Sequence, residues 1–173
     1  MKGSEAMELR PITCCFTGHR INKLPWGANE KDPRCVELKE KLFAVTEAVY
    51  LSGCTRFICG MANGCDMYFC ETVIKLREAH PEIYLEAAVP FPGQPDRWSE
   101  PLRKRYRQLL DKCDKVSVLQ HTHTPDCMMR RNKYMVDNSG VLIACYDGTP
   151  GGTQNTILYA MREKIEIVQL PLE

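Results

Sequence analysis

A chain of 173 residues has room for one ordinary domain and not for two. With 44% hydrophobic and 26% charged residues it is not a disordered chain, and a net charge of +1 from 23 basic and 22 acidic residues argues against a large nonspecific nucleic-acid footprint. No apolar run nears the roughly 20 residues that cross a bilayer, and Met1 to Pro11 lack an apolar signal segment, so a cytoplasmic location and no membrane partner are expected.

Residues 1–11 read as an N-terminal extension and residues 12–173 as a single domain. The first apolar β-type run is Ile12 to Phe16. Leu38, Leu42, Val45 and Val49 recur at helical spacing, which predicts a helix over about Arg34 to Leu51. A short strand, Arg56 to Cys59, precedes a second helix with Met67, Cys70, Val73 and Ile74 on one face, closed by Pro81. Tyr84 to Val89 reads as a third strand, and Trp98, Leu102, Tyr106 and Leu109 share a third helical face. Val116 to Leu119 is a short strand, Met128 to Asn138 a helix, and Val141 to Tyr146 a strand apolar on both faces. Thr153 to Glu163 is helical, and Ile165 to Leu170 closes the series. This alternation predicts an α/β, three-layer Rossmann-like fold with a mainly parallel, about six-stranded sheet.

Ten cysteines, with no export signal, read as reduced. Cys54, Cys59, Cys65 and Cys70 lack the paired C-x-x-C spacing of common zinc sites, so small buried hydrophobes are the plain reading. Cys14 and Cys15 are expected on opposite faces of their strand.

Open parallel sheets bind ligands at the carboxyl ends of their strands. There the chain places Thr17, Gly18, His19 and Arg20; then Gly60, Asn63, Gly64 and Asp66; then Pro90 and Gln94; then His121 and His123; then Asp147, Gly148, Gly151, Gly152 and Thr153. Two of these loops run directly into helices. Glycine lets backbone approach a ligand, and a helix N-terminus offers free amides and a positive dipole end, a recipe for phosphate. Thr153 is expected to cap its helix and to donate to a phosphate oxygen. Arg20 is suited to pair with phosphate and Asp66 to hydrogen-bond ribose, although dipole complementation alone explains Asp66. Neither loop is a Walker A motif or a G-x-G-x-x-G fingerprint. The long connection Gly18 to Pro33 is of the kind that closes over ligands. Trp98 is either a core anchor or a stacking surface, and no third ligand supports a metal at His121 and His123. Arg103, Lys104, Arg105 and Arg107 form a basic cluster, with Arg130, Arg131 and Lys133 a weaker one.

Taken together, Thr17-Gly18-His19-Arg20, Gly60 and Gly64, Pro90-Phe91 with Gln94 and Trp98, and Arg131-Asn132 before Met135-Val136-Asp137 resemble the YpsA-like family. So does Gly151-Gly152-Thr153 with Thr156 and Ala160. That family lies in the SLOG superfamily, with the DNA-processing protein DprA and the LOG phosphoribohydrolases. The resemblance spans about Ile12 to Leu170. It implies a six-stranded Rossmann-like domain and a nucleotide-type ligand such as NAD, ADP-ribose or a nucleoside monophosphate, with Arg131 and Asn132 among the binding residues and homodimerisation possible. The LOG motif is Pro-Gly-Gly-x-Gly-Thr-x-x-Glu. Pro150-Gly151-Gly152-Thr153 match its opening, but Gln154 and Asn155 replace the Gly-Thr pair and Leu158 stands at the glutamate position. A nucleotide sensor or regulator is therefore expected ahead of an N-glycosidic hydrolase, for which Asp66 or Asp147 would supply the carboxylate. DNA binding by analogy with DprA comes third.

Overall fold

The computed structural model describes residues 3–172. A helix α1 (Gly3–Leu9) and a short 3-10 turn over Arg10–Ile12 lead into the sheet. The strands are β1 (Thr13–Gly18), β2 (Arg56–Cys59), β3 (Tyr84–Val89), β4 (Lys115–Val118), β5 (Val141–Tyr146) and β6 (Glu166–Pro171). Between them run α2 (Pro33–Leu51), α3 (Cys65–Ala79), α4 (Glu100–Asp111), α5 (Cys127–Asp137) and α6 (Gly152–Arg162). All five strand pairings are parallel, in the order β4-β3-β2-β1-β5-β6.

Each crossover helix buries one face because its apolar residues recur at helical spacing. In α2 these are Cys35, Leu38, Leu42 and Val49. Alternation along β1 divides the core: Cys14 and Phe16 join the cluster with Leu42, Phe69 and Val73, while Cys15 joins Met135, Val136 and Ile157 on the other face. Phe16 and Phe69 stack with ring centroids 4.7 Å apart. The ten cysteines are all unpaired thiols; nine are buried and Cys113 is half-buried. Burial pushes the Cys14 thiol up and that of Cys15 to about 12, so these behave as small apolar groups rather than nucleophiles.

Three expectations shift. β1 begins one residue later and runs to Gly18, because Pro11 and Ile12 sit in the 3-10 turn. α1 lies within residues 1–11, which the sequence presents as an N-terminal extension. Trp98 is not on α4, which starts at Glu100. Pro101 lacks an amide and its ring would clash with a helical turn reaching back to Arg97. Trp98 instead closes a turn through its amide to the Pro95 carbonyl (3.0 Å) and packs edge-on against Tyr106, centroids 5.5 Å apart.

The loop before α3 depends on Gly64, whose φ of +81° and ψ of −131° suit glycine alone. A Cβ there would stand 2.7 Å from the His19 carbonyl oxygen and 2.9 Å from the Ile21 amide. Gly64→Ala is expected to cost about 2 kcal/mol or more, read from the urea unfolding midpoint, because both the backbone conformation and backbone atoms oppose the methyl. A cost below about 0.5 kcal/mol would contradict this geometry.

Candidate functional site

β1 is flanked by β2 and β5, with α2 and α3 packed on one face of the sheet and α5 and α6 on the other. A crevice of about 190 Å³ opens at the carboxyl end of β1, where such sheets bind ligands. Thr17 and Gly18 line it from the end of β1, His19 and Arg20 from the segment just after it, and Asp66 from α3. Arg131 and Asn132 line it from α5, and Gly152 and Thr153 from α6. The sequence reading missed Phe16, Asn22, Lys23, Ala62 and Met128, which also line it. Asn22 and Lys23 lay inside the connection that sequence marked as ligand-closing, but they carried no motif of their own.

Arg131 is 3% exposed and Asp66 6%. The Arg131 guanidinium donates to the Gly60 carbonyl through one Nη and to Asn132 Oδ1 through Nε at 2.8 Å. Gly60 is glycine for that contact: a Cβ there would come within 2.8 Å of the guanidinium. Burial pushes the Arg131 pKa down, opposed by the Asp66 charge. Asp66 Oδ2 accepts the Ala62 amide at 3.0 Å. Burial raises the Asp66 carboxyl above its ordinary range, with Arg131, the Ala62 amide and Arg20 pulling the other way. Arg20 itself makes no ion pair with a carboxylate among the described residues. The hydroxyls of Thr17 and Thr153, each on a residue 6% exposed, have no hydrogen-bond partner among the described residues. Thr153 does not cap α6, because Gly151 occupies the N-cap position; it sits in the first turn and faces the crevice.

The other expected residues lie outside the lining itself, and several of them shape the loops around it. Asn63 Oδ1 accepts the Ile21 amide at 3.0 Å. Gly64 and Gly151 are the N-caps of α3 and α6. Asp147 lies beside the crevice and takes His19 Nε2 at 2.7 Å, while Gly148 sits inside the turn its carboxylate closes onto Thr149. Pro90 and Gln94 lie on the loop after β3 and do not line the crevice. Gln94 is buried beside Tyr106. His123 packs edge-on against Phe91, centroids 5.3 Å apart. The basic cluster of α4 is largely paired: Arg103 and Arg107 with Glu100, Arg105 with Glu30 and Glu71. On α5, Arg130 pairs with Asp126 and Lys133 lies over the Tyr159 ring.

These features define a class, a doubly wound parallel sheet with a cation-lined polar crevice at its switch point. Residues 14–172 match the YpsA model, described as the YspA SLOG family, and the chain belongs to that family. It is 33% identical over 145 residues to the SPbeta prophage-derived protein YoqJ of Bacillus subtilis, covering 76% of this chain and 85% of the relative. A UPF0398 protein of Halalkalibacterium halodurans is 29% identical over 152 residues, covering 86% of this chain and 79% of the relative. DNA processing protein A from Helicobacter pylori, described for its single-stranded DNA binding mode, superposes with a TM-score of 0.61 at 14% identity, covering 98% of this chain and 69% of that one. DprA from Streptococcus pneumoniae also gives 0.61 at 14%, covering 96% of this chain and 52% of that one, so this chain spans about half its length. These two likenesses speak to the fold alone. No helix among the described residues is long and apolar enough to cross a membrane.

The His19–Asp147 contact carries a pH signature. Desolvation disfavours the charged Asp147 carboxyl, but bonds from the Thr149 hydroxyl, His19 and the Thr149 amide outweigh it and hold the group well below its ordinary 3.8. The carboxylate's contribution is therefore full above that value and is lost as pH falls through the depressed one. The stability gap between wild type and Asp147→Asn, read from urea unfolding, is expected to be open at about pH 5 and to shrink steadily below about pH 4. A gap unchanged down to about pH 2 would overturn the assignment.

Proposed function

We propose that this chain binds a nucleotide-derived small molecule in the crevice at the carboxyl end of β1, acting as a sensor or regulator of that ligand. One observation carries the reading: unpaired Arg20, buried Arg131, the free hydroxyls of Thr17 and Thr153 and the start of α6 converge on one crevice. Cations, hydroxyl donors and helix-terminal amides together match a phosphoryl group. Asp66, held among them, is an acceptor suited to a ribose hydroxyl. The ligand class extends to NAD, ADP-ribose or a nucleoside monophosphate. Retention is favoured over turnover because Leu158, at the position of the LOG glutamate, is 56% exposed and lies outside the crevice.

A hydrolytic reading has one observation in its favour. Asp66 is a buried carboxyl with a raised pKa inside the crevice, the kind of group that handles protons in N-glycosidic cleavage. Asp147 is the weaker candidate, since His19 and Thr149 already hold it ionised. DNA binding like that described for the Helicobacter pylori protein draws less support, because the basic residues of α4 are largely occupied by glutamates.

Equilibrium dialysis against AMP, NAD and ADP-ribose together, read by mass spectrometry, separates these. One compound retained intact is expected, with Arg20→Ala weakening retention about tenfold or more while leaving the melting temperature within a few degrees. Release of free base with a sugar phosphate would establish the hydrolytic reading and direct attention to Asp66. If none of the three compounds is either retained or converted, the binding reading is overturned for this ligand class.

A further inference from the structure

Lys23 has no part in the reading above, yet its position relates it to the same crevice. The strap that leaves β1 passes between both glycine loops. The His19 carbonyl accepts the Cys65 amide at 3.0 Å, and the Ile21 amide donates to Asn63 Oδ1 at 3.0 Å, which pins the strap to the loop before α3. A short 3-10 turn over Ile21–Lys23 then carries the chain across to the loop before α6. There Lys23 Nζ donates to the Pro150 carbonyl at 2.8 Å. Gly151 lies directly beneath: a Cβ on it would collide with the ammonium. Lys23 lines the crevice with Gly152 and Thr153.

The charge balance differs between the two ends of this crevice. Arg20 and Arg131 share it with Asp66, which acts on both sites of positive charge. Lys23 has no carboxylate within ion-pair distance among the described residues. One neutral carbonyl satisfies one of its three N–H donors. Beside it stand the Thr153 hydroxyl, on a residue 6% exposed and without a protein partner, and the first turn of an eleven-residue helix. A solvent-facing ammonium with no carboxylate partner, a hydroxyl with no protein partner and helix-terminal amides together suit an anion small enough to meet all three.

We propose that Lys23 is a specificity-determining residue that selects ligands ending in a phosphomonoester. It exchanges the Pro150 carbonyl for a phosphate oxygen lying on the first turn of α6. A charge-assisted bond to phosphate is roughly twice as strong as the bond to a neutral carbonyl, and the exposed Pro150 carbonyl passes to water at little cost. The strap itself stays in place, because Asn63 holds its other end. The crevice thus takes nucleoside 5′-phosphates and rejects the parent nucleosides.

The inference rests on the crevice being a phosphate site, and the test keeps the two apart. Binding of 5′-AMP and of adenosine is measured by isothermal titration calorimetry for wild type, Lys23→Met and Lys23→Arg, with melting temperatures as the fold control. Wild type is expected to bind AMP and to bind adenosine at least tenfold more weakly. Lys23→Met is expected to weaken AMP binding about tenfold without moving the melting temperature by more than a few degrees, and Lys23→Arg to restore most of it. Failure of wild type to bind AMP, or equal binding of adenosine, overturns the phosphomonoester selection and the role of Lys23 with it, while retention of NAD or ADP-ribose in the dialysis would leave the crevice reading standing. AMP binding that survives Lys23→Met unchanged overturns the role of Lys23 alone.

Discussion

Everything at the functional edge of this protein follows from the position of β1. It is buried between β2 and β5, and its two neighbours are reached by crossovers on opposite faces of the sheet. Right-handed crossovers allow no other arrangement for parallel strands in this order. The helices must therefore part above the end of β1, and a crevice is left with backbone amides, loop residues and two helix starts facing it. Residues that would be unremarkable on a surface become a site because the topology aims them at one volume.

That volume is electrostatically unusual. Arg131 and Asp66 are taken out of water on opposite walls, and each raises the tolerance of the other for burial. Desolvation of such charges costs several kcal/mol per ion before attraction and hydrogen bonds repay it. The Gly60 carbonyl, Asn132 and the Ala62 amide supply those bonds. The arrangement is thus held rigid before any ligand arrives, which lowers the ordering cost of binding. Arg20 and Lys23 contrast with it: both sit on the strap and neither is ion-paired among the described residues.

The strap also explains why distant loops act as one. His19 joins it to Asp147 after β5 and to Cys65 at the start of α3, Asn63 holds Ile21, and Lys23 holds Pro150. These are short, specific polar contacts between segments far apart in the chain. None follows from helical or strand periodicity, since hydrogen bonding between loops obeys no repeat.

The sequence by itself determined the alternation of strands and helices, because burial on one face or both leaves a periodic apolar pattern, as in Leu38, Leu42 and Val49 of α2 or Val141 to Tyr146 of β5. It also placed the two glycine loops at helix starts, since Gly64 and Gly151 hold backbone angles that few other residues adopt. α1 was not legible, because so short a segment shows no clear period, and the start of α4 was misplaced because Trp98 mimics a helical position. Only the tertiary structure decided which strand-end residues share a volume. It brought Arg131 from α5 to Gly60 after β2, placed Lys23 over Gly151, left Pro90 and Gln94 outside the lining, and paired the basic residues of α4 with glutamates from other elements. The physical reason is that charge pairing and crevice lining depend on distances through space, which the order of residues along a chain does not encode locally.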